Sequence, residues 1–306
     1  MLNPDCESMM NSPSQMQTAD ALNPLARPMG RLVDLSVKRF RNHYAEFVWP
    51  EVLPETQYWM GPELLSTDGT AIGEALSEAQ KIRLSKWESI NLYSLSMYGE
   101  RDLTQVVFQH IHSRGYEDVS EYFHHFVDEE NKHMWFFSQF CERYGGKTYP
   151  QKALKFADYA DPTVKSYLSF AKIMIFEEIG DYYNVRIKGD ERLPPFIRHL
   201  NRMHHQDESR HLAMARELLR VLHARVSQVS DGAGMTAIEN YLKRYIRSSL
   251  QSFYNADAYR DAGLAEPFKL RNELMNDPSR EPTHLAIMSR AIRFFTSAGL
   301  FESEKF

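Results

Sequence analysis

Glutamate and histidine three residues apart occur four times in this sequence: Glu121/His124, Glu130/His133, Glu208/His211 and Glu281/His284. On a helix such a pair shares one face, so both side chains can reach one metal site. With 12 histidines in 306 residues, about one pair would arise by chance. Spacing to other features must decide which pairs carry chemistry.

Glu100 lies 15 residues before Gly115, and Glu130 lies 15 residues after it. If Gly115 marks a turn between antiparallel helices, the two carboxylates sit at one height. Glu121 falls roughly 13 Å from that level at 1.5 Å per residue, and half a rotation from Glu130. It is therefore expected at the surface. Glu177 and Glu208 are centred on Arg192/Leu193, inside KGDERLPP, so they too match in height. Glu178 serves almost as well by distance. Glu281-Pro-Thr-His284 has no partner at such spacing and is expected as a helix start or loop. Two hairpins thus repeat one design: Glu100 with Glu130/His133, and Glu177 with Glu208/His211.

Four carboxylates and two imidazoles suit a pair of iron ions, or manganese, better than zinc or calcium. Glu129 and Asp207 each precede a motif glutamate. A carboxylate there could accept the outer ring N–H of a ligand histidine and fix its tautomer. His204 lies one turn before Glu208 on the same face, a seventh donor, with His205 competing.

Helical segments must position these groups. They are expected over about 77–112, 117–144, 162–188 and 196–226, with later ones near 236–256, 264–275 and 284–297. Ser113-Arg114-Gly115, Gly145-Gly146 and KGDERLPP are the breaks. Residues 147–161 form a crossover loop and 227–234 a flexible link. Strand patterns are weak. Four long helices with a crossover after the second is the ferritin-like bundle. The expected class is all-α, with additional N- and C-terminal helices. Residues 1–30 are polar and rich in Pro and are expected as a mobile tail. A single helical domain spans 31–306, with a short helix somewhere in 31–49 and the metal-binding core at about 77–227.

Composition narrows the class. The net charge of −5 offers no basic surface overall for nucleic acid or anionic lipid. Two cysteines, Cys6 and Cys141, point to no disulfide framework and to a reducing compartment. No apolar stretch is long enough to cross a membrane, and a cytoplasmic protein is expected. Tyr93, Met97, Tyr98, Phe170, Met174 and Tyr182 lie on the ligand-bearing segments near the proposed centre, as bundle core or as the wall of an aromatic pocket.

The set Glu100, Glu130-x-x-His133, Glu177 and His204-x-x-x-Glu208-x-x-His211 resembles the p-aminobenzoate N-oxygenase family over about residues 77–230. That family carries a third histidine ligand one turn before the last glutamate, and acids before both Glu-x-x-His motifs. Glu129 stands where an Asp would be expected. The resemblance favours Glu177 over Glu178. It implies a non-haem di-iron monooxygenase that uses dioxygen and an external electron donor, such as a reductase. Such an enzyme takes a primary amine to the hydroxylamine, and on to nitroso or nitro. The amine would be an arylamine or amino-acid-derived, free or bound to a carrier protein. A homodimer is the base-rate expectation. Two rivals stay open: a di-iron hydroxylase or desaturase acting on carbon, and a non-enzymatic ferritin-like metal-binding protein.

Overall fold

Ser77 begins the bundle. Its hydroxyl accepts from Gln80 N at 3.4 Å while the Gln80 side chain accepts from Ser77 N at 2.9 Å, a capping box that starts the first long helix. The computed structural model describes residues 24–150 and 159–306. In chain order the helices are α1 (Ala26–Lys38), α2 (His43–Glu46), α3 (Ala71–Ala75), α4 (Glu78–His110), α5 (Glu117–Phe140), α6 (Pro162–Gly189), α7 (Pro195–Val229), α8 (Gly232–Gln251), α9 (Ala256–Asp261), α10 (Pro267–Met275) and α11 (Glu281–Ser297). Two 3-10 turns, Pro62–Leu64 and Pro278–Arg280, and a π-helical turn, Cys141–Gly145, complete the list. No strand occurs among the described residues.

The four long helices are α4 to α7, so the chain is all-α with the ferritin-like arrangement. α4 pairs with α5, and α6 with α7; α1 lies across α5 and α7, and α11 and α8 cover α6. Because α4 and α6 are sheathed on several sides, buried residues appear all round them. Small polar side chains make this tolerable. Ser94 and Ser85 return their hydroxyls to Ile90 O (2.6 Å) and Ile82 O (2.7 Å), so these two buried hydroxyls are satisfied within the helix. At Gly99 α4 packs tightly against α6, and an added Cβ would lie 2.1 Å from the Phe176 ring. Buried apolar residues from Leu25 to Phe301 form one continuous cluster.

Several boundaries differ from expectation, three of them with a clear cause or consequence. The helix expected within 31–49 is split, and its first part starts at Ala26, inside the stretch read as tail. Leu25 and Met29 are buried. Pro28 misleads because it falls in the first turn, where its missing N–H is harmless. The flexible link at 227–234 shrinks to two residues, Ser230 and Asp231. Asp231 caps α8 by accepting from Gly234 N at 2.8 Å. The stretch expected as one helix over 264–275 starts only at Pro267, with α9 before it. Residues 1–23 of the expected tail and 151–158 of the crossover lie outside the described residues. No helix among those described is long and apolar enough to cross a membrane.

Candidate metal centre

Matched heights on four helices bring the donors together. α4 supplies Glu100, α5 Glu130 and His133, α6 Glu177, and α7 His204, Glu208 and His211. All seven are buried, and His204, at 3% exposed, is the most accessible. Their donor atoms fall into two groups, Glu100/His133/His204 and Glu130/Glu177/Glu208/His211, each with its atoms within 4.8 Å of one another. The grouping crosses the two hairpins.

Glu130 and Glu208 span both groups. Glu130 turns Oε2 to His133 Nδ1 (3.3 Å) and Oε1 to His211 Nδ1 (2.8 Å). Glu208 turns Oε1 to His204 Nε2 (2.8 Å) and His133 Nδ1 (3.3 Å), and Oε2 to His211 Nδ1 (3.2 Å). Glu100 and Glu177 lie at the two ends.

The outer nitrogens of two histidines are held across the bundle. His133 Nε2 donates to Asp207 at 3.2 Å and His211 Nε2 donates to Glu129 at 2.9 Å. Each acid therefore serves the histidine of the other motif. Arg210 joins them, donating at 2.6 Å to Glu129 and 2.6 Å to Asp207, and it reaches Ser36 on α1 at 3.0 Å. These bonds leave Nδ1 of both rings facing inward. His204 is turned the other way, with Nε2 inward and Nδ1 2.7 Å from the Asn184 amide.

The electrostatics demand positive charge at the centre. Burial is the first influence on every group. It pushes Glu100 up to about 7 and, with Glu208 and Glu130 adding, Glu177 well above the usual carboxylate range. Burial opposes ionisation of Glu208 too, but His211 and His204 outweigh it and hold that carboxyl well below its usual range. Burial disfavours charge on His204, yet Glu208 and Glu100 raise it to about 9. For His133, hydrogen bonds to Asp207, Glu130 and Glu208 overcome burial and raise it well above the ordinary value. Asp207 and Glu129 are held low against burial, chiefly by their histidines and by Arg210.

Orphaned atoms test the fit to a metal pair. Both oxygens of Glu100, Oε1 of Glu130, Glu177 and Glu208, and Nε2 of His204 are buried without a hydrogen-bond partner. His204 Nε2 is near Glu100 and Glu208 but not aligned to bond to either. Buried polar atoms rarely stay unpaired, and these six belong to five of the seven proposed ligands. Four carboxylates carry a charge that two divalent cations would balance. A carboxylate- and imidazole-rich set with no thiolate suits iron or manganese. The residues present fit a di-iron pair.

Phe126 lies 4.3 Å from the His211 ring, Phe136 5.3 Å from His133, and Phe137 stands edge-on to His204 at 4.9 Å. This aromatic wall keeps water away from the ring faces.

Other sequence candidates go elsewhere. Glu178 turns away from the centre and pairs with Arg216 and with Arg290, the latter at 3.2 Å. His205 pairs with Asp181. Glu121 and His124 are exposed. Glu281 opens α11, and His284 bonds the Tyr254 hydroxyl at 2.7 Å. Tyr93 packs in the core on Phe137 and accepts from Asn201 at 2.7 Å; Phe170 stacks on Phe123, and Met174 is fully buried. Met97 is half-buried, as are Tyr98 and Tyr182, which sit beneath Arg101 and Arg186.

Sequence reasoning missed Arg210, Asn184 and His43. Arg210 had a signal: both motifs carry a cation just before the histidine, Lys132 and Arg210. Only Arg210 turns inward, while Lys132 pairs with Asp128 and lies over Phe40. Buried His43 sits 3.9 Å from Asp207, and burial, with His133 beside it, pushes it down to about 4.

A search of curated proteins found no match. A family model described as P-aminobenzoate N-oxygenase AurF matches residues 26–299, nearly all of the described chain. With that coverage, and with a helical bundle whose buried Glu/His groups can hold two metals, the chain belongs to the p-aminobenzoate N-oxygenase AurF family and is a non-haem di-iron oxidoreductase of the N-oxygenase class.

Proposed function

We propose that this enzyme oxidises the amino nitrogen of a primary arylamine, first to the hydroxylamine and then towards nitroso and nitro. Dioxygen is the co-substrate and an external protein supplies electrons. The observation that carries the reading is the orphaned inward-facing Nε2 of His204 beside Glu100 and Glu208. A site of four Glu and two His has no use for it. Glu100, His133 and His204 would hold one metal and Glu177 and His211 the other, with Glu130 and Glu208 within reach of both groups. Bound iron supplies the activation of dioxygen and the transfer of oxygen to nitrogen.

The chain's own residues orient, neutralise and shield. Asp207 and Glu129 hold His133 and His211 as Nε2–H tautomers, so each offers a lone pair at Nδ1. Arg210 keeps the two acids ionised. His204 offers Nε2 only when Nδ1 bears the proton, which the Asn184 carbonyl then accepts. In the structure Asn184 Nδ2 lies 2.7 Å from His204 Nδ1, so this role requires the amide to turn its oxygen to the ring. Phe126, Phe136 and Phe137 exclude water.

A single-turnover experiment tests the reading. Protein loaded anaerobically with iron(II) is mixed with labelled dioxygen and a panel of arylamines, free and as carrier-protein thioesters, and products are read by mass spectrometry. Label on nitrogen supports the proposal. Label only on carbon, or consumption of dioxygen with no amine product across the panel, rejects it in favour of carbon oxidation.

A further inference from the structure

One face of the molecule runs against its overall charge. Residues 26–42 contain five basic residues (Arg27, Arg31, Lys38, Arg39, Arg41) and one acid (Asp34), in a chain of net charge −5. Lys38, Arg39, Phe40 and Arg41 line a groove with Glu46 and Gln206. Lys38 and Arg39 are exposed and make no ion pair among the described residues. Arg41 and Arg202 add charge beside His199, whose ordinary value they lower after burial has done so. Exposed apolar residues concentrate in the same stretch of chain, and Phe40 lines the groove itself. Of the eleven large hydrophobic residues exposed among those described, six lie between residues 35 and 52: Leu35, Val37, Phe40, Tyr44, Val48 and Val52. Its rim is mainly basic, with Glu46, paired to Arg41 at 3.3 Å, and exposed Glu51 as its acids, and exposed apolar area inside a charged rim marks a protein-docking surface.

What lies beneath this face identifies the partner. Gln206 lines the groove and its carbonyl accepts from Arg210 at 3.0 Å. Ser36, on α1, accepts from the same arginine at 3.0 Å. Arg210 in turn bonds both Asp207 and Glu129, and these hold His133 and His211. One buried arginine thus links the basic face to a histidine of each metal position. The layer is filled by bonds as short as 2.6 Å between buried groups, so no carried substrate passes through it. An electron does, because it crosses packed, hydrogen-bonded matter without needing space.

We infer that the basic, apolar face formed by α1 and residues 39–52 is the docking site of an acidic electron-donor protein, one carrying a reduced flavin or iron–sulfur cluster. The inference rests on the di-iron oxygenase reading. Two electrons pass in all, one for each metal ion; the donor is oxidised by the same two, and no bond is made or broken. Opposite charge speeds encounter and sets its dependence on salt, while Val37 and Phe40 supply the area that holds the complex.

The test uses the full chain loaded with iron, with reduced flavodoxin and reduced [2Fe–2S] ferredoxin, both strongly acidic, as probes. Binding is followed by calorimetry, and the second-order rate of protein reduction by stopped flow, over a range of salt. Lys38→Glu/Arg39→Glu is expected to weaken binding and slow reduction at least about tenfold near 0.1 M salt and to flatten the salt dependence. Arg260→Glu/Lys269→Glu, on α9 and α10, leaves both unchanged. Reduction by a small uncharged mediator is the same in every variant, which separates a lost docking site from a damaged centre. N-oxygenation driven by that mediator reports on the catalytic reading by itself. Binding by neither acidic probe overturns the inference, as does equal loss in both charge-reversal variants. Self-association abolished by Lys38→Glu/Arg39→Glu overturns it in favour of a second copy of the chain.

Discussion

Oε2 of Glu129 lies 2.9 Å from Nε2 of His211, although the two residues belong to different helices and different Glu-x-x-His motifs. Asp207 and His133 repeat the relationship in reverse at 3.2 Å. Each motif therefore depends on the other for the tautomer of its histidine. Asp207→Asn and Glu129→Gln keep shape but lose the charge that raises imidazole basicity. Each is expected to weaken metal binding by about 10–100-fold, measured by competition with a chelator. Wild-type affinity in both would sink the idea that these acids tune the centre.

Arg210 is the common partner of the two acids, and its burial raises the consequence of losing it. Arg210→Met strands Glu129 and Asp207 next to each other with one cation fewer, in a layer that is less than a tenth exposed. Breaking a buried ion network in this way costs about 3–5 kcal/mol, read by denaturant unfolding of the metal-free protein. Arg210→Lys falls between, because an ammonium keeps the charge but not the fork that reaches both acids. Equal stability for all three proteins would show that the network is dispensable.

The long helices and the family were readable in the sequence because they rest on regularities the chain displays by itself. Equal distances on either side of Gly115 and of Arg192/Leu193 set the heights, and helical periodicity set the faces. What the chain hides is contact between elements that are remote in sequence. Nothing about Arg210 distinguishes it from Lys132 until α1 places Ser36 above one and the turn after α1 places Phe40 beside the other. Asn184 resembles any polar helix residue until α7 brings His204 to it. His43 sits in a four-residue helix whose burial depends on its packing against α5. The crossing of donors between hairpins is of the same kind: spacing gives height along the bundle axis but not which helix is diagonal to which.

Gly99 is placed where α4 and α6 approach, one residue from Glu100, and the ring it meets is one residue from Glu177. Adding a Cβ would put carbon 2.1 Å from Phe176 Cε2, so the ring must move. Gly99→Ala is expected to destabilise by about 1–3 kcal/mol through overpacking. Phe176→Leu combined with Gly99→Ala recovers much of the loss, because a shorter side chain opens the space the methyl needs. Thermal unfolding of the four proteins gives the coupling. Additive losses would mean that the two positions do not meet.

Removing metal should make stability depend on pH in a definite direction. Folding raises His204 from 6.5 to about 9, against burial, because of Glu208 and Glu100. Its contribution is full below 6.5 and disappears as pH rises through 9. His133 and His211 are also raised and behave alike. Glu100, raised from 4.5 to about 7 mainly by burial, binds a proton more readily when folded, so its contribution also falls as pH rises towards 7. Glu208 and Asp207 shift the other way, but they are already ionised above 4.5 and stay constant in this window. The metal-free chain therefore loses stability from pH 6 to pH 9. Metal binding must displace those same protons, so affinity grows over the same interval. The Tm of metal-loaded protein should exceed that of chelator-treated protein by a margin that widens, by on the order of 5 °C, between these two pH values. Scanning calorimetry of both forms across the range measures it, and a margin that is constant or narrows would show that the seven residues do not exchange protons for metal.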